Sequence, residues 1–259
     1  MPPVLLALLV GLFVGAVVGM LGAGGGLLSM PILVYALGID PHSAVASSLV
    51  IVAASASMSL IPHARRRNVG WRDGALFGVL GILGTVVASR LAAYVPSDLL
   101  MALFAVLLLL VAATMARRTL RPSRTLEEQA PAPRHRLLAL ILTASATGIL
   151  TGLFGVGGGF IVVPALLIVL RTDIRRAVGT SLFVVLINSL VGLAARIGTP
   201  VTIDWPVIIS FAATSMLAGF FAARISAGVR PKILNLLFAT LLLAVALVTG
   251  IQSVPELLG

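Results

Sequence analysis

The sequence predicts an all-α polytopic membrane protein made of two inverted-topology repeats of five hydrophobic segments each. Of its 259 residues, 59% are hydrophobic and only 10% are charged, and the mean hydropathy is +1.16. Soluble domains carry about 25% charged residues, and a chain of this length has too little interior to bury so much apolar surface. Glycine motifs that recur at a constant offset and basic clusters in alternate loops complete the evidence for this fold class.

Ten apolar runs cover most of the chain. The runs of the first repeat (1–116) are 3–21, 27–38, 42–62, 71–94 and 97–116, and those of the second repeat (137–259) are 137–154, 159–170, 174–196, 205–226 and 231–251. An Arg- and Pro-rich linker, 117–136, separates the repeats. Two runs, 27–38 and 159–170, are shorter than the ~20 residues that a bilayer crossing needs. The first two runs of each repeat are therefore expected to form a broken or re-entrant element.

The duplication is visible in rare residue types. An offset of 133 residues superposes Gly15 on Gly148 and Gly19 on Gly152, and an offset of 134 superposes Trp71 on Trp205. Chance alignment of two apolar helices would match Leu and Val rather than glycine clusters and tryptophan. Self-similarity at a fixed offset is the mark of a repeated unit. Because each unit has an odd number of segments, the two copies are predicted to insert with opposite orientations.

The distribution of basic residues supports this topology and argues against nucleic acid as a partner. The net charge is +10, but Lys and Arg lie in short clusters between apolar runs, and aromatic residues make up only 5%. If the loop 63–72 is cytoplasmic, alternation places all 18 basic residues except Arg90 and Arg196 on the cytoplasmic side. Such a bias follows the positive-inside rule. It predicts a cytoplasmic linker and, provided that each glycine-bearing pair of segments enters and leaves the membrane by one face, both termini outside.

Each repeat contains the motif Gly-x-Gly-Gly-Gly followed by a proline, over Gly22–Pro31 and over Gly155–Pro164. Consecutive glycines cost about 1 kcal/mol each relative to Ala in a helix and permit positive φ. Helix breaks are therefore expected at Gly22 and Gly155, and again at Pro31 and Pro164. The next helix would then begin with unpaired N–H groups, which form an anion receptor. Close helix packing is the alternative explanation, but three consecutive glycines occupy every face of a helix.

Small polar residues follow each motif and are candidates for the lining of a substrate path. Ser and Thr hydroxyls can donate to the oxygens of an anion, although they commonly bond the carbonyl four residues earlier instead. Asn188 either lines the path or bridges helices. The predicted substrate-binding residues are Gly24, Gly25, Gly26, Gly157, Gly158, Gly159, Ser47, Ser48, Thr180, Ser181 and Asn188.

The paired glycine–proline motifs and the small polar segments that follow them resemble the sulfite exporter TauE/SafE family over essentially the whole chain. The resemblance implies a multispanning plasma-membrane transporter of sulfur-containing or organic anions. We expect transport of a small anion, sulfite or an organosulfonate, outward by alternating access. A transporter of another organic anion and a non-transporting assembly partner remain as alternatives.

The residue types argue against catalysis. The chain has no Cys and only three His and eight acidic residues, and no nucleophile or acid–base pair is placed in a predicted span. We therefore expect no enzyme activity, no cofactor and no metal site. Because no carboxylate lies deep in a predicted span, we expect the anion to move down its own gradient, unless coupling uses a site that the sequence hides.

Overall fold

The computed structural model describes residues 3–21, 26–120, 133–169 and 172–225, together with positions 240, 243, 244, 246 and 247. All regular structure in these ranges is helical, as predicted. A π-helical turn, Ile32–Ala36, continues the second helix. The α-helices are α1 (Pro3–Leu21), α2 (Gly26–Pro31), α3 (Pro41–Arg65), α4 (Trp71–Ala92), α5 (Ser97–Leu120), α6 (Pro133–Phe154), α7 (Gly159–Val169), α8 (Ile174–Ala195) and α9 (Trp205–Ile225).

Aspartates mark the beginnings of α3, α4, α5, α8 and α9. The Asp40 carboxylate accepts a hydrogen bond from the Ser43 N–H at 3.1 Å and so caps α3. The Asp173 carboxylate caps α8 by accepting from two N–H groups, at 2.9 and 3.1 Å. An anion at a helix N-terminus satisfies free N–H groups and opposes the positive end of the helix dipole. All described aspartates lie at or within one turn of a helix start: Asp40, Asp73, Asp98, Asp173 and Asp204.

Helices α3 and α8 pack on each other. The fourth helix of each half, α4 or α9, packs against helices of the other half. Helix α9 packs on α1 and α3, whereas α4 packs on α6 and α8. One buried cluster combines residues of α1, α2, α3, α5 and α9 with Phe154 of α6 and Val185 of α8. A second cluster combines residues of α6, α7 and α8 with Phe77 of α4. Both clusters therefore combine residues from the two halves of the chain.

Glycines allow the helix pairs to cross closely. A Cβ atom at Gly15 of α1 would collide with the backbone of Ser215, and one at Gly19 would collide with Gly219. On α6, a Cβ atom at Gly148 would collide with the backbone of Gly81, and one at Gly152 would collide with that of Thr85. Small residues spaced four apart permit this approach of two backbones. The close-packing explanation of glycine thus applies to these helix positions.

The outer surface suits a lipid environment. Leu83 of α4, Leu110 of α5, Leu142 of α6 and Ile209 of α9 are each at least 60% exposed. Among the described residues, four helical segments are long and apolar enough to cross a membrane: Pro41–Arg65, Trp71–Ala92, Arg175–Ala195 and Trp205–Ile225. Shorter apolar helical stretches lie at Val4–Met20, Leu27–Ala36, Ser97–Ala113 and Leu138–Phe154.

The structure differs from the sequence-based expectations at the prolines. Pro164 does not end its helix, since α7 continues to Val169. Pro31 likewise lies within a continuous helical segment, which passes into the π turn Ile32–Ala36. A proline removes one backbone hydrogen bond, and a neighbouring π turn can absorb the change in the helix. The expectation of breaks at Pro31 and Pro164 was therefore wrong.

Helices α5 and α6 extend into the predicted linker 117–136 from its two ends. Helix α5 extends to Leu120 and α6 begins at Pro133, which suits the first position of a helix. Residues 121–132 lie outside the described residues, as does most of the predicted segment 231–251.

Candidate functional site

A non-helical turn interrupts the chain between α6 and α7. Helix α6 ends at Phe154 and α7 begins at Gly159. Gly155, Gly157 and Gly158 have φ values of +68°, +70° and +66°. These values lie in the left-handed region, where a side chain costs roughly 1–2 kcal/mol. The glycines therefore allow a turn at which any other residue would be strained.

The turn is buried, and it leaves backbone donors unpaired. Val156 is 1% exposed, and the glycines around it are buried as well. The Gly158 carbonyl accepts from the Ile161 and Val162 N–H groups at 3.0 and 3.3 Å, and so starts α7. Within the described ranges, the N–H groups of Gly157, Gly158 and Gly159 have no hydrogen-bond acceptor. Buried backbone donors are nearly always paired, so this turn has unused binding capacity.

Helices α3 and α8 cover the turn. The Ser48 hydroxyl of α3 lies 3.1 Å from the Gly155 carbonyl and 2.8 Å from the Val45 carbonyl, and can donate to either. A Cβ atom at Gly157 would lie 2.8 Å from Val185 Cγ1 and 2.9 Å from Val52 Cγ1. The same position is 3.4 Å from the Ser189 Oγ of α8. The turn therefore lies between the two helices that pack at the centre of the protein.

Helix α6 supplies the third side of the turn. A Cβ atom at Gly158 would lie 2.9 Å from the Thr151 Oγ1 and would also collide with the Thr147 side chain. Both threonines are fully buried, and their hydroxyls donate to the carbonyls four residues earlier, at 2.7 and 2.8 Å. Each hydroxyl oxygen keeps its own acceptor capacity, so these groups can also accept from the neighbouring N–H donors.

Three polar side chains near the centre are buried without a partner. Ser47, Asn188 and Ser189 are 0% exposed. Their hydroxyl and amide atoms have no hydrogen-bond partner in the described part of the chain. A Cβ atom at Gly81 of α4 would lie 3.4 Å from both Asn188 amide atoms. An unsatisfied buried polar group costs about 1–3 kcal/mol, so such groups call for a ligand or water.

The predicted site residues have different surroundings. Ser48 and the glycines Gly157, Gly158 and Gly159 belong to the turn. The Thr180 Oγ1 instead accepts from the Gly70 N–H at 2.9 Å, at the start of α4, and Ser181 donates to the Val178 carbonyl at 2.7 Å. Gly26 begins α2, whereas Gly22, Gly24 and Gly25 lie outside the described residues. The substrate-binding role of all these residues stays a prediction.

Sequence reasoning missed Thr147, Thr151 and Ser189. The four-residue spacing of the two threonines places them on one face of α6, directly before the glycine motif, and this signal was available. Ser189 adjoins Asn188, but no pattern distinguishes it from other serines, because the helix is apolar on every side. Among the described residues, no group of three or more His, Cys, Asp or Glu could hold a metal ion.

Comparison with known proteins identifies the family. The family described as Sulfite exporter TauE/SafE matches residues 7–249. The chain belongs to this family. It is 32% identical to a probable membrane transporter protein of Xylella fastidiosa over 90% of each chain. It is 26% identical to a probable membrane transporter protein of Methanocaldococcus jannaschii over 92% of this chain and 91% of that protein. No solved structure matches.

The TauE/SafE membership confirms two predictions from the sequence. The protein is a membrane transporter, and it is not an enzyme. The match covers about nine tenths of this chain and of each of these relatives. The helical fold and its exposed apolar surface agree with a position in the membrane.

Proposed function

We propose that this TauE/SafE transporter carries a small sulfur oxyanion, sulfite or an organosulfonate, outward across the plasma membrane. The observation that carries the proposal is the buried turn Gly155–Gly158, with its unpaired N–H groups at the start of α7. Backbone N–H groups at a helix N-terminus bind anions through hydrogen bonds and the helix dipole. Ser189, fully buried and without a partner in the described residues, lies beside the same turn.

The chemistry of the turn favours an oxyanion over a cation. The N–H groups of Gly157, Gly158 and Gly159 are donors without an acceptor among the described residues, and a sulfite or sulfonate offers several acceptor oxygens to them. All described carboxylates lie at helix starts, where Asp40, Asp173 and Asp204 accept hydrogen bonds from backbone N–H groups. None of the described carboxylates therefore lies beside the turn, where it could hold a cation. Family membership supports the same substrate class, since the family description names sulfite.

Alternating access between two inverted repeats is the proposed mechanism. The crossing of α1 with α9 and the crossing of α6 with α4 use residues that correspond at offsets of 133 and 134. This correspondence supports two half-molecules related by a pseudo-two-fold axis, as in many secondary transporters. The motif Gly22–Gly26, most of which lies outside the described residues, is then proposed as a second anion-binding element, with the Arg-rich linker in the cytoplasm and both termini outside.

The substitution Ser189→Ala tests the site in proteoliposomes that contain only this protein. It removes a hydroxyl that has no described partner, so the folded state should lose no hydrogen bond. If the hydroxyl binds the charged substrate, the sulfite concentration for half-maximal efflux should rise by about tenfold, as expected for a lost hydrogen bond to a charged group. The assay measures efflux of labelled sulfite and of an organosulfonate.

Ser59→Ala is the matched control. The Ser59 hydroxyl is also fully buried and unpartnered among the described residues, but it lies beside Gly219 of α9 rather than beside the turn. Its removal should leave half-saturation unchanged. Equal effects of the two substitutions would contradict the proposed site. Vesicles that release neither sulfite nor any organic anion would favour the alternative of an assembly partner.

A further inference from the structure

Arg196 is a buried cation at the end of α8 that the proposed site does not use. It follows the apolar segment Arg175–Ala195 directly and is only 3% exposed. Its Nη2 donates to the Gly152 carbonyl of α6 at 2.7 Å. The Ser89 hydroxyl of α4 donates to the same carbonyl at 3.4 Å. Side chains from α4 and from the end of α8 therefore meet at the Gly152 carbonyl of α6. Gly152 has no Cβ atom, which allows the backbones of α4 and α6 to approach each other closely.

The positive charge of Arg196 is not balanced in the described part of the chain. The ion pair found there joins Arg176 to Asp73 at 3.8 Å, at the opposite end of α8. The Arg196 Nε is buried and has no acceptor among the described residues. The guanidinium is charged at neutral pH, as that of an arginine in a protein effectively always is. A buried charge without a counter-charge is costly, so an anion in this place would be stabilising.

Arg196 and the glycine turn both adjoin α6 and α8. On α6, Gly152 precedes Gly155 by about one helical turn. On α8, Ser189 precedes Arg196 by seven residues, about 10 Å along the helix axis. An anion that leaves the turn along α8 in this direction therefore approaches the guanidinium.

We infer that Arg196 is a specificity-determining residue, which supplies the fixed positive charge that selects an oxyanion as it enters or leaves the glycine turn. The inference rests on the proposed function. The positive charge attracts the negatively charged oxygens of sulfite or a sulfonate. The alternative is a purely structural clamp between α6 and α8. A clamp depends on the hydrogen bond that the Arg196 Nη2 makes to the Gly152 carbonyl, which neither Gln nor Lys reproduces, and it leaves the buried charge and the free Nε without a role.

The test compares the full-length wild type with Arg196→Gln, Arg196→Lys and Arg90→Gln in proteoliposomes. Arg90 is an exposed basic residue at the end of α4, and the predicted topology has Arg90 and Arg196 on the same, non-cytoplasmic side of the membrane. We expect Arg196→Gln to raise the sulfite half-saturation concentration by at least about tenfold. Arg196→Lys, which keeps the charge, and Arg90→Gln should stay close to the wild type.

A second measurement separates this inference from the proposed function. Sulfite should raise the melting temperature of the wild type, of Arg196→Lys and of Arg90→Gln, but not that of Arg196→Gln. If the wild-type protein moves no sulfite or sulfonate, the proposed function fails, and the melting temperatures still decide the role of Arg196.

Two outcomes would overturn the role of Arg196. One is an equal sulfite-induced shift in Arg196→Gln and the wild type. The other is a clamp signature, in which Gln and Lys both lower the maximal rate and the melting temperature while half-saturation is unchanged. If Arg196→Gln does not fold, the Lys variant decides: a sulfite response like that of the wild type supports the inference, and loss of the response overturns it.

Discussion

Replacing Gly157 by Ala tests the geometry of the buried turn. At its φ of +70°, a side chain costs roughly 1–2 kcal/mol of backbone strain. The new Cβ atom would also lie 2.8 Å from Val185 Cγ1 and 2.9 Å from Val52 Cγ1. Overpacking of this kind costs typically about 1–3 kcal/mol. The two effects together should lower the free energy of unfolding by roughly 2–5 kcal/mol.

Gly38→Ala separates backbone strain from packing. Gly38 has a φ of +66°, and no atom lies within 4 Å of the position of an added Cβ atom. It should therefore show the strain of roughly 1–2 kcal/mol alone. Unfolding of both variants in detergent measures the difference between their free energies of unfolding. Sulfite efflux is measured separately, in proteoliposomes at a temperature where both variants are folded. Equal destabilisation of the two variants would refute the packing of α3 and α8 against the turn. Normal efflux in a folded Gly157→Ala variant would refute the role of the turn in transport.

Two further predictions concern the support of the site and the driving force. Thr180→Val removes the acceptor of the buried Gly70 N–H and should lower the free energy of unfolding by about 1–3 kcal/mol. Thr143→Val, whose hydroxyl donates only to carbonyls of its own helix, should change thermal unfolding much less. Because every described aspartate lies at a helix start, collapse of the pH gradient alone should leave sulfite efflux unchanged, whereas collapse of an inside-negative potential should slow it. Efflux that stops with the pH gradient would show proton coupling.

Local features of the site could be predicted from the sequence because their causes are local. Three glycines in succession weaken a helix whatever surrounds them, and α6 ends one residue before Gly155. The predicted helix breaks at Pro31 and Pro164 were wrong for a related reason. Loss of one hydrogen bond at Pro31 or Pro164 is a small local penalty, and whether a helix continues past it depends on the packing around the helix.

The sequence alone determined the family, the helical membrane class and the position of the glycine turn, since composition, repeated motifs and backbone propensity are carried by neighbouring residues. Only the tertiary structure showed that Ser189 adjoins Gly157, that Thr180 binds the start of α4 and that Arg196 folds onto Gly152. The physical reason is that these helices are apolar on nearly every side. A sequence of that kind does not mark which face meets another helix, and close packing between segments distant in the chain decides which polar groups are left without partners.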